Sequence, residues 1–573
     1  MSRSSHPSGT LPPRSSGKNR CNRKRLDRLP LGERTDELLP RVQGYYTRLC
    51  ALPRHTRRAL VRQWRRSLSA IALLLALGQA PALAATISVD GTTCTLVDAI
   101  TSANTNAAAG GCPAGNGADT IVLPTGSTQL LTVVDNSTLG GGPTGLPVIS
   151  STITLQGRNS TVRRESNAPE FRILAVASSG NLTLHSTTVS GGSSAYPHGG
   201  NGIYNRGTLT LTHSRVSGNS GTGSGVFNSG TLTLTHSTVS GNGVVGYGGR
   251  GMSNTGTATL THSTVSGNFG GGVSNSGTLT LTHSTVSGNR SEGDGGIHNS
   301  GTLTLTNSTV SGNRAYACGP CSGTGGIANV GTATLSNSTV SGNSGLYGGG
   351  VNNSSSGTLT LARTLISGNS ISGYFGYGPS EVENFGTIVA NNHNLFGHDG
   401  DAGVTGFSPG STDIVPNAPL SAILKPLADN GGPTKTHALP VGSPAIGQSP
   451  ANSGCKPTDQ RGVTRPQGAA CDIGAFEKGP PVRCGGRIAR ILGTVGNDRL
   501  TGTPGPDVIH GLAGRDTIEG LEGNDIICGG TGGDKLFGGS GADRLNGGSG
   551  TDTCNGGSGA DTGTSCETAT SIP

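Results

Sequence analysis

From Gly493 onward an aspartate returns at every ninth residue: Asp498, Asp507, Asp516, Asp525, Asp534, Asp543, Asp552 and Asp561. Each stands sixth in a unit that opens on glycine, from GTVGNDRLT through GGTGGDKLF and GGSGADRLN to GGSGADTGT. Carboxylates at a fixed period among glycines suit a hard divalent cation. Ca2+ takes about six to eight oxygens, drawn from carboxylates and backbone carbonyls. Glycine turns expose their carbonyls because no Cβ covers them, and each aspartate adds charge. The backbone of Gly529, Gly532, Gly538, Gly541, Gly547 and Gly550 is the expected source of the remaining oxygens. The competing reading is a Gly/Asp-rich linker that holds no metal.

The units follow the pattern G-G-x-G-x-D-x-U-x, and residues 484–567 resemble the RTX (hemolysin-type) calcium-binding repeats. The resemblance implies a parallel β-roll in which two nonapeptides make one coil, so aspartates eighteen residues apart share an edge. One edge then carries Asp498, Asp516, Asp534 and Asp552, and the other Asp507, Asp525, Asp543 and Asp561, which gives six same-edge pairs. Without metal these carboxylates repel, so folding is expected to depend on Ca2+. Pro504 and Pro506 stiffen the second unit, Arg515 sets a cation beside Asp516, and Gly563 removes the apolar residue of the last. The units of Asp534, Asp543 and Asp552 keep the pattern best.

The roll is preceded by a longer repeat. The phrase G-T-L-T-L-T-H-S-T-V-S-G-N opens at Gly207, Gly230, Gly256, Gly277, Gly301, Gly331 and Gly357, with degenerate copies at Gly180 and Gly386. The opening glycines are 27, 23, 26, 21, 24, 30, 26 and 29 residues apart. Such periods mean a solenoid. Leu209, Leu211 and Val216 alternate with Thr and Ser, which is strand periodicity. The expected fold is therefore all-β: a right-handed parallel β-helix, a small cap domain and a C-terminal RTX β-roll. Two short strands per copy, joined by Ser-Gly-Asn and closed by a Gly-rich loop, would form one coil. No coil could bury its Leu and Val alone, so stacking supplies the core.

Stacking also predicts polar columns. Asn219, Asn242, Asn268, Asn289, Asn313, Asn343 and Asn369 share one position, and Asn205, Asn228, Asn254, Asn275, Asn299 and Asn329 another. Amides at strand spacing can hydrogen-bond along the column. A third position reads His213, His236, His262, His283, Asn307, Asn337 and Arg363. Stacked histidines could hold a metal, but Asn and Arg take the position over, which favours a structural column.

Charge divides the chain. The net charge is +8, yet residues 1–84 hold 17 Lys/Arg against 4 Asp/Glu and the rest is acidic. The basic front is no nucleic-acid footprint. Residues 56–84 run from arginines through the apolar Ile71–Leu77 to Ala82-Leu83-Ala84, the pattern of a secretory signal peptide. Residues 1–55 are expected to be a disordered or mis-assigned extension, and no membrane span follows signal cleavage. Twelve cysteines fit export, with ten after cleavage. Proximity pairs Cys94 with Cys112, Cys318 with Cys321, Cys455 with Cys471 and Cys554 with Cys566, which leaves Cys484 with Cys528.

Two more segments carry resemblances. Cys94-Thr-Leu-Val-Asp-Ala99, within residues 86–118, is similar to the CSLREA segment of bacterial surface proteins, with Val97 in place of Arg. Leu96–Asn104 would form a short amphipathic helix capping the first coil, ahead of the β-helix at 119–400. Residues 401–478 include Leu424–Thr434, Gly442–Ile446, Asp459–Gly462, Arg465-Pro466 and Cys471–Glu477, and resemble the choice-of-anchor Q domain of exported bacterial proteins. There Asp459, Arg461, Arg465, Asp472 and Glu477 read as a salt-bridged cap.

Parallel β-helices also host polysaccharide lyases and hydrolases. Between Gly180 and Leu395 the acids are Glu292, Asp294, Glu381 and Glu383, read as two inter-coil loops too far apart to face each other. Glycoside hydrolysis needs paired carboxylates. The expected protein is thus a non-enzymatic, secreted or cell-surface stalk or adhesin that takes Ca2+ and offers a Thr/Ser/Asn/His surface to cell-surface or matrix glycans. A pectate-lyase-like enzyme is the alternative.

Overall fold

The computed structural model describes residues 84–136, 142–194, 199–243, 249–316, 323–373, 376–451, 454–480, 482–493 and 496–572. The chain divides into Met1–Ala82 and Leu83–Pro573, and the described residues belong to the second unit. The signal peptide, the N-terminal extension and the Cys318–Cys321 pair lie outside them.

Residues 86 to 405 form a parallel β-helix. Its register repeats the sequence period: Thr208 pairs with Thr231, Thr231 with Thr257, Thr257 with Thr278 and Thr278 with Thr302. Variable steps leave the strands in phase because loops absorb the difference. Each regular coil carries three main strands rather than two, as in Thr208–Thr212, Arg215–Ser217 and Ser224–Asn228, and several coils add a two-residue strand before the last of these, such as Ser220–Gly221 or Arg290–Ser291. The third arises from the Gly-rich stretch, where Val226, Met252, Val273, Ile297, Ile327 and Val351 stack inward. Ser-Gly-Asn joins the second strand to this third one, not the first to the second.

Alternation does the sorting. Leu209, Leu211, Val216 and their equivalents are fully buried, and one apolar core runs from Ile87 to Phe396. Burying each such side chain stabilises by about 1.5–3 kcal/mol, and a coil gains this only when covered by neighbours. The first coil is covered by the helix Leu96–Thr105, which buries Leu96, Ala99, Ile100 and Ala103 and is N-capped by Thr95. At the other end Ile423 and Leu424 pack on Leu365 and Leu395 in a second cluster.

Both asparagine columns form. In the first, each Nδ2 from Asn219 to Asn343 donates to the next Oδ1 at 2.8–3.0 Å. The second runs from Asn205 through Asn329 and continues to Asn353 and Asn384, at 2.6–2.8 Å. The first column ends on Glu381, which accepts from Gly368 N, Asn369 N and Asn369 Nδ2. A chain of amides pointing one way needs a pure acceptor at its end, and a carboxylate is one.

The His213–Arg363 column marks the corner between the first and second strands. Its seven residues all take left-handed φ of 47–52°, a conformation that Asn and His adopt more readily than most. The rings of His213, His236, His262 and His283 stack at 4.9–5.1 Å. Burial pushes His236, His262 and His283 below the ordinary imidazole value, and His262, with His283 and His236 beside it, falls to about 4. The folded state therefore resists protonation that the unfolded chain accepts. Stability is full above about pH 6.5 and is lost as pH falls toward the folded value. Thermal melts of the β-helix should drop across this window, and His262→Asn, which copies Asn307, should flatten the drop. An unchanged pH profile in that variant would refute the assignment.

Candidate metal centre

Beyond Cys484 the chain forms two facing parallel sheets. One contains Val508–Ala513, Ile526–Thr531 and Arg544–Ser549, and the other Thr517–Glu522, Lys535–Ser540 and Thr553–Ser558. Successive nonapeptides alternate between sheets, so strands eighteen residues apart are neighbours: Ile509 pairs with Ile527, and Ile518 with Leu536. Ile509, Ile518, Ile527, Leu536, Leu545 and Cys554 fill the space between. The Cys484–Cys528 bridge ties the incoming strand to the roll. The other expected pairs among the described residues, Cys94–Cys112, Cys455–Cys471 and Cys554–Cys566, are also bonded.

The aspartates line the two edges as the eighteen-residue spacing requires. The backbone N of Asp498, Asp507, Asp516, Asp525, Asp534 and Asp543 each donates to Oδ1 of the aspartate one coil later, at 2.8–2.9 Å. One carboxylate oxygen is thereby fixed. The other, Oδ2 of Asp516, Asp525, Asp534, Asp543, Asp552 and Asp561, is buried without a hydrogen-bond partner. A buried orphan oxygen is rare in native proteins and calls for a ligand.

The glycines complete the donor set. A Cβ on Gly511, Gly520, Gly529 or Gly538 would stand 2.3–2.4 Å from the Oδ2 of Asp516, Asp525, Asp534 or Asp543. On Gly532, Gly541, Gly550 and Gly559, at φ of 129–145°, it would lie 1.6–1.8 Å from the carbonyl oxygen of the glycine one coil earlier. Gly547 likewise abuts Asp552. Carboxylates and carbonyls thus share the same turns, the chemistry Ca2+ prefers. Among the described residues no three His, Cys, Asp or Glu side chains converge on one point, so backbone oxygens must supply part of each site. Burial pushes Asp516 and Asp525 up to about 6, with same-edge neighbours adding repulsion, and raises Asp534 and Asp543 as well. A cation would relieve both effects.

The first coil differs. Asp507 turns its Oδ2 to Thr503 N and Oγ1, at 2.6 and 3.0 Å, and Asp498 is only half-buried. The prolines of the second unit sit in this turn. Six of the eight predicted aspartates therefore share the orphan geometry, including Asp516, Asp525 and Asp561 outside the best-patterned units. The last coil holds two residues that the nonapeptide period does not reach. Ile572 reaches over Gly563 and packs into the core, replacing the missing apolar side chain. Glu567 accepts from Asp552 N at 2.6 Å, as an eighteen-residue-later aspartate would.

The other acids and arginines singled out in the sequence have structural partners. Arg461 bonds Asp459 at 2.7 Å and Arg465 meets Glu477 at 3.4 Å, while Asp472 accepts from Gly447 N. This salt-bridged segment adds Ile473 and Phe476 to the end cluster of Leu365 and Leu395 and also runs back from it. It lies along the flank of the β-helix: Gln460 bonds Thr285 and Thr309, His437 bonds Ser311, and Ala475 N donates to Thr339. Glu383 lies within the strand Val382–Asn384 and Glu381 directly before it, rather than in an inter-coil loop. Asp294 accepts from Thr324 N and pairs with His298.

Two family matches bear on this geometry. Residues 492–527 and 529–562 match the RTX calcium-binding nonapeptide repeat (4 copies). The roll is made of RTX calcium-binding repeats. Residues 172–333 match the right handed beta helix region. No curated protein sequence matches the chain significantly. Among solved structures, pectate lyase Pel9A is similar at 16% identity and TM-score 0.40, over 64% of this chain and 92% of that one. The Dettilon tailspike protein aligns at 13% identity and TM-score 0.34, over 57% and 66% of the two chains. The PL6 family alginate lyase AlyGC aligns at 14% identity and TM-score 0.27, over 78% and 69%. In the RTX roll the residues that would hold calcium are the six aspartates with orphan Oδ2 atoms, together with the glycine carbonyls beside them. No helix among the described residues is long and apolar enough to cross a membrane.

Proposed function

We propose that the protein is an exported, calcium-stabilised rod of the bacterial surface or surroundings, whose β-helix is an adhesin-like contact surface carried on a Ca2+-dependent RTX roll. The observation that carries this reading is the pair of edge columns with six buried, partnerless carboxylate oxygens. The four disulfides among the described residues support an oxidising compartment. The CSLREA-like and choice-of-anchor-Q-like segments support a surface-associated rod. The contact surface is the outer face of the first strands. One column there is threonine on eleven successive strands, from Thr86 through Thr120, Thr154 and Thr183 to Thr360. Neighbouring columns, such as Thr208 to Thr358 and Thr212 to Thr306, make this a broad uncharged lattice of hydroxyl and methyl groups. Glycans offer matching hydroxyls and apolar ring faces.

Retention of the mature chain on cells, glycan arrays and matrix proteins tests the contact role, with Thr233→Lys plus Thr280→Lys placed in the lattice. Binding lost by at least tenfold in that variant is expected. No binding by the parent chain would leave a bare stalk. Polysaccharide cleavage ranks second, since Asp294, Glu381 and Glu383 have structural partners. Release of unsaturated or reducing ends from pectin or alginate would reverse that ranking.

A further inference from the structure

We infer that Glu567 is a ninth acid of the calcium ladder, closing a terminal site with Asp552, and that the Cys554–Cys566 bridge positions it. The inference rests on the RTX roll binding Ca2+. By period alone the edge of Asp498, Asp516 and Asp534 stops at Asp552, because the residue eighteen later is Thr570. The chain instead shortens its last turn. Thr553 pairs with Thr568, an offset of fifteen residues where every earlier coil uses eighteen. Ser565 adopts a left-handed φ of 52°, and its carbonyl oxygen would lie 2.0 Å from a Cβ on Gly547. In the regular coil before it, a Cβ on Gly529 meets the Gly547 carbonyl at 2.5 Å. Ser565 thus reproduces a glycine carbonyl of the ladder.

Glu567 reproduces the aspartate. Its Oε2 accepts from Asp552 N at 2.6 Å, matching the 2.8 Å bond from Asp534 N to Asp552 Oδ1. The extra methylene of glutamate lets it reach from a turn three residues shorter. The partnerless, buried Oδ2 of Asp552 lies with the Ser565 carbonyl against Gly547, 2.7 and 2.0 Å from a Cβ placed there, as Asp534 Oδ2 and the Gly547 carbonyl lie against Gly529 at 2.4 and 2.5 Å. Cys566 precedes Glu567 and is bonded to Cys554, two residues beyond Asp552, with Cα atoms 5.9 Å apart. Both acids of the terminal site are therefore held by one covalent clamp.

The test counts Ca2+ bound per full-length oxidised chain by equilibrium dialysis, with circular dichroism in saturating Ca2+ to verify the roll. Glu567→Gln is expected to bind one ion fewer and to keep its β signal. Glu567→Asp, too short for the shortened turn, should weaken that one ion by tenfold or more. Cys554→Ser plus Cys566→Ser should do the same while Glu567 remains. An unchanged ion count and affinity in Glu567→Gln would overturn the inference alone. A parent chain that binds no Ca2+ would overturn it together with the RTX reading.

Discussion

Chelating Ca2+ from the full chain at neutral pH is expected to unfold residues 496–572 while the β-helix stays folded. The roll has a thin core of six interior side chains, two sheets thick. Against it stand six buried oxygens with no partner, each costing about 1–3 kcal/mol when left unsatisfied, and the repulsion of carboxylates along each edge. Metal binding in such a module is folding free energy. The β-helix owes nothing to these sites, since its buried polar columns are satisfied by its own amides and by Glu381. Hydrogen exchange should therefore show protection vanishing from Val508–Ser558 on chelation and surviving at Thr208–Ala362. Continued protection of the roll without metal would refute the coupling.

Acid should act in opposite directions on the two forms of the roll. Asp516 and Asp525 rise to about 6 in the metal-free fold, so that fold binds protons more tightly than the unfolded chain. Its stability is then highest below the ordinary carboxylate value and is lost as pH climbs through about 6. The calcium-loaded roll needs charged carboxylates and weakens as pH falls. Melts of the chelated chain at mildly acidic and neutral pH decide the sign.

Much of this was legible in sequence for one reason: both solenoids repeat, so a residue type at a fixed offset becomes a column. The asparagine ladders and the four disulfides among the described residues follow from spacing, and the two carboxylate edges from what the RTX resemblance implies for that spacing. What spacing missed lies where the period breaks. Glu567, Ile572 and Ser565 sit in a turn three residues short, outside the nonapeptide count. Glu381 belongs to no repeat, and only the direction of the amide chain shows why an acid ends it. The third strand hid in glycines because Val226-Phe227-Asn228 and its equivalents offer a single inward apolar side chain each. The flank docking of residues 434–475 was invisible because Thr285, Thr309 and Thr339, which receive it, read the same as Thr238 and Thr264, which do not.

Asn289→Leu is expected to cost the β-helix about 3 kcal/mol or more, beyond any surface change in the same coil. Asn289 Oδ1 accepts from Asn268 N and Nδ2, while its Nδ2 donates to Asn313 Oδ1 and Val265 O. Leucine is similar in size, so little volume is lost. The damage is to four buried partners at once, and an unsatisfied buried group costs about 1–3 kcal/mol. Thr280→Ala, on the half-buried outer face of the same coil, should stay within about 0.5 kcal/mol. Because stability in a solenoid is a sum of coil and interface terms, the loss should fall on the two interfaces that Asn289 bridges. Exchange protection should then drop first at Val265 and Val286 and remain near Leu209 and Leu361. A uniform loss along the whole helix, or a penalty no larger than that of Thr280→Ala, would show that the amide column is ornament to the apolar core and not a second source of cohesion.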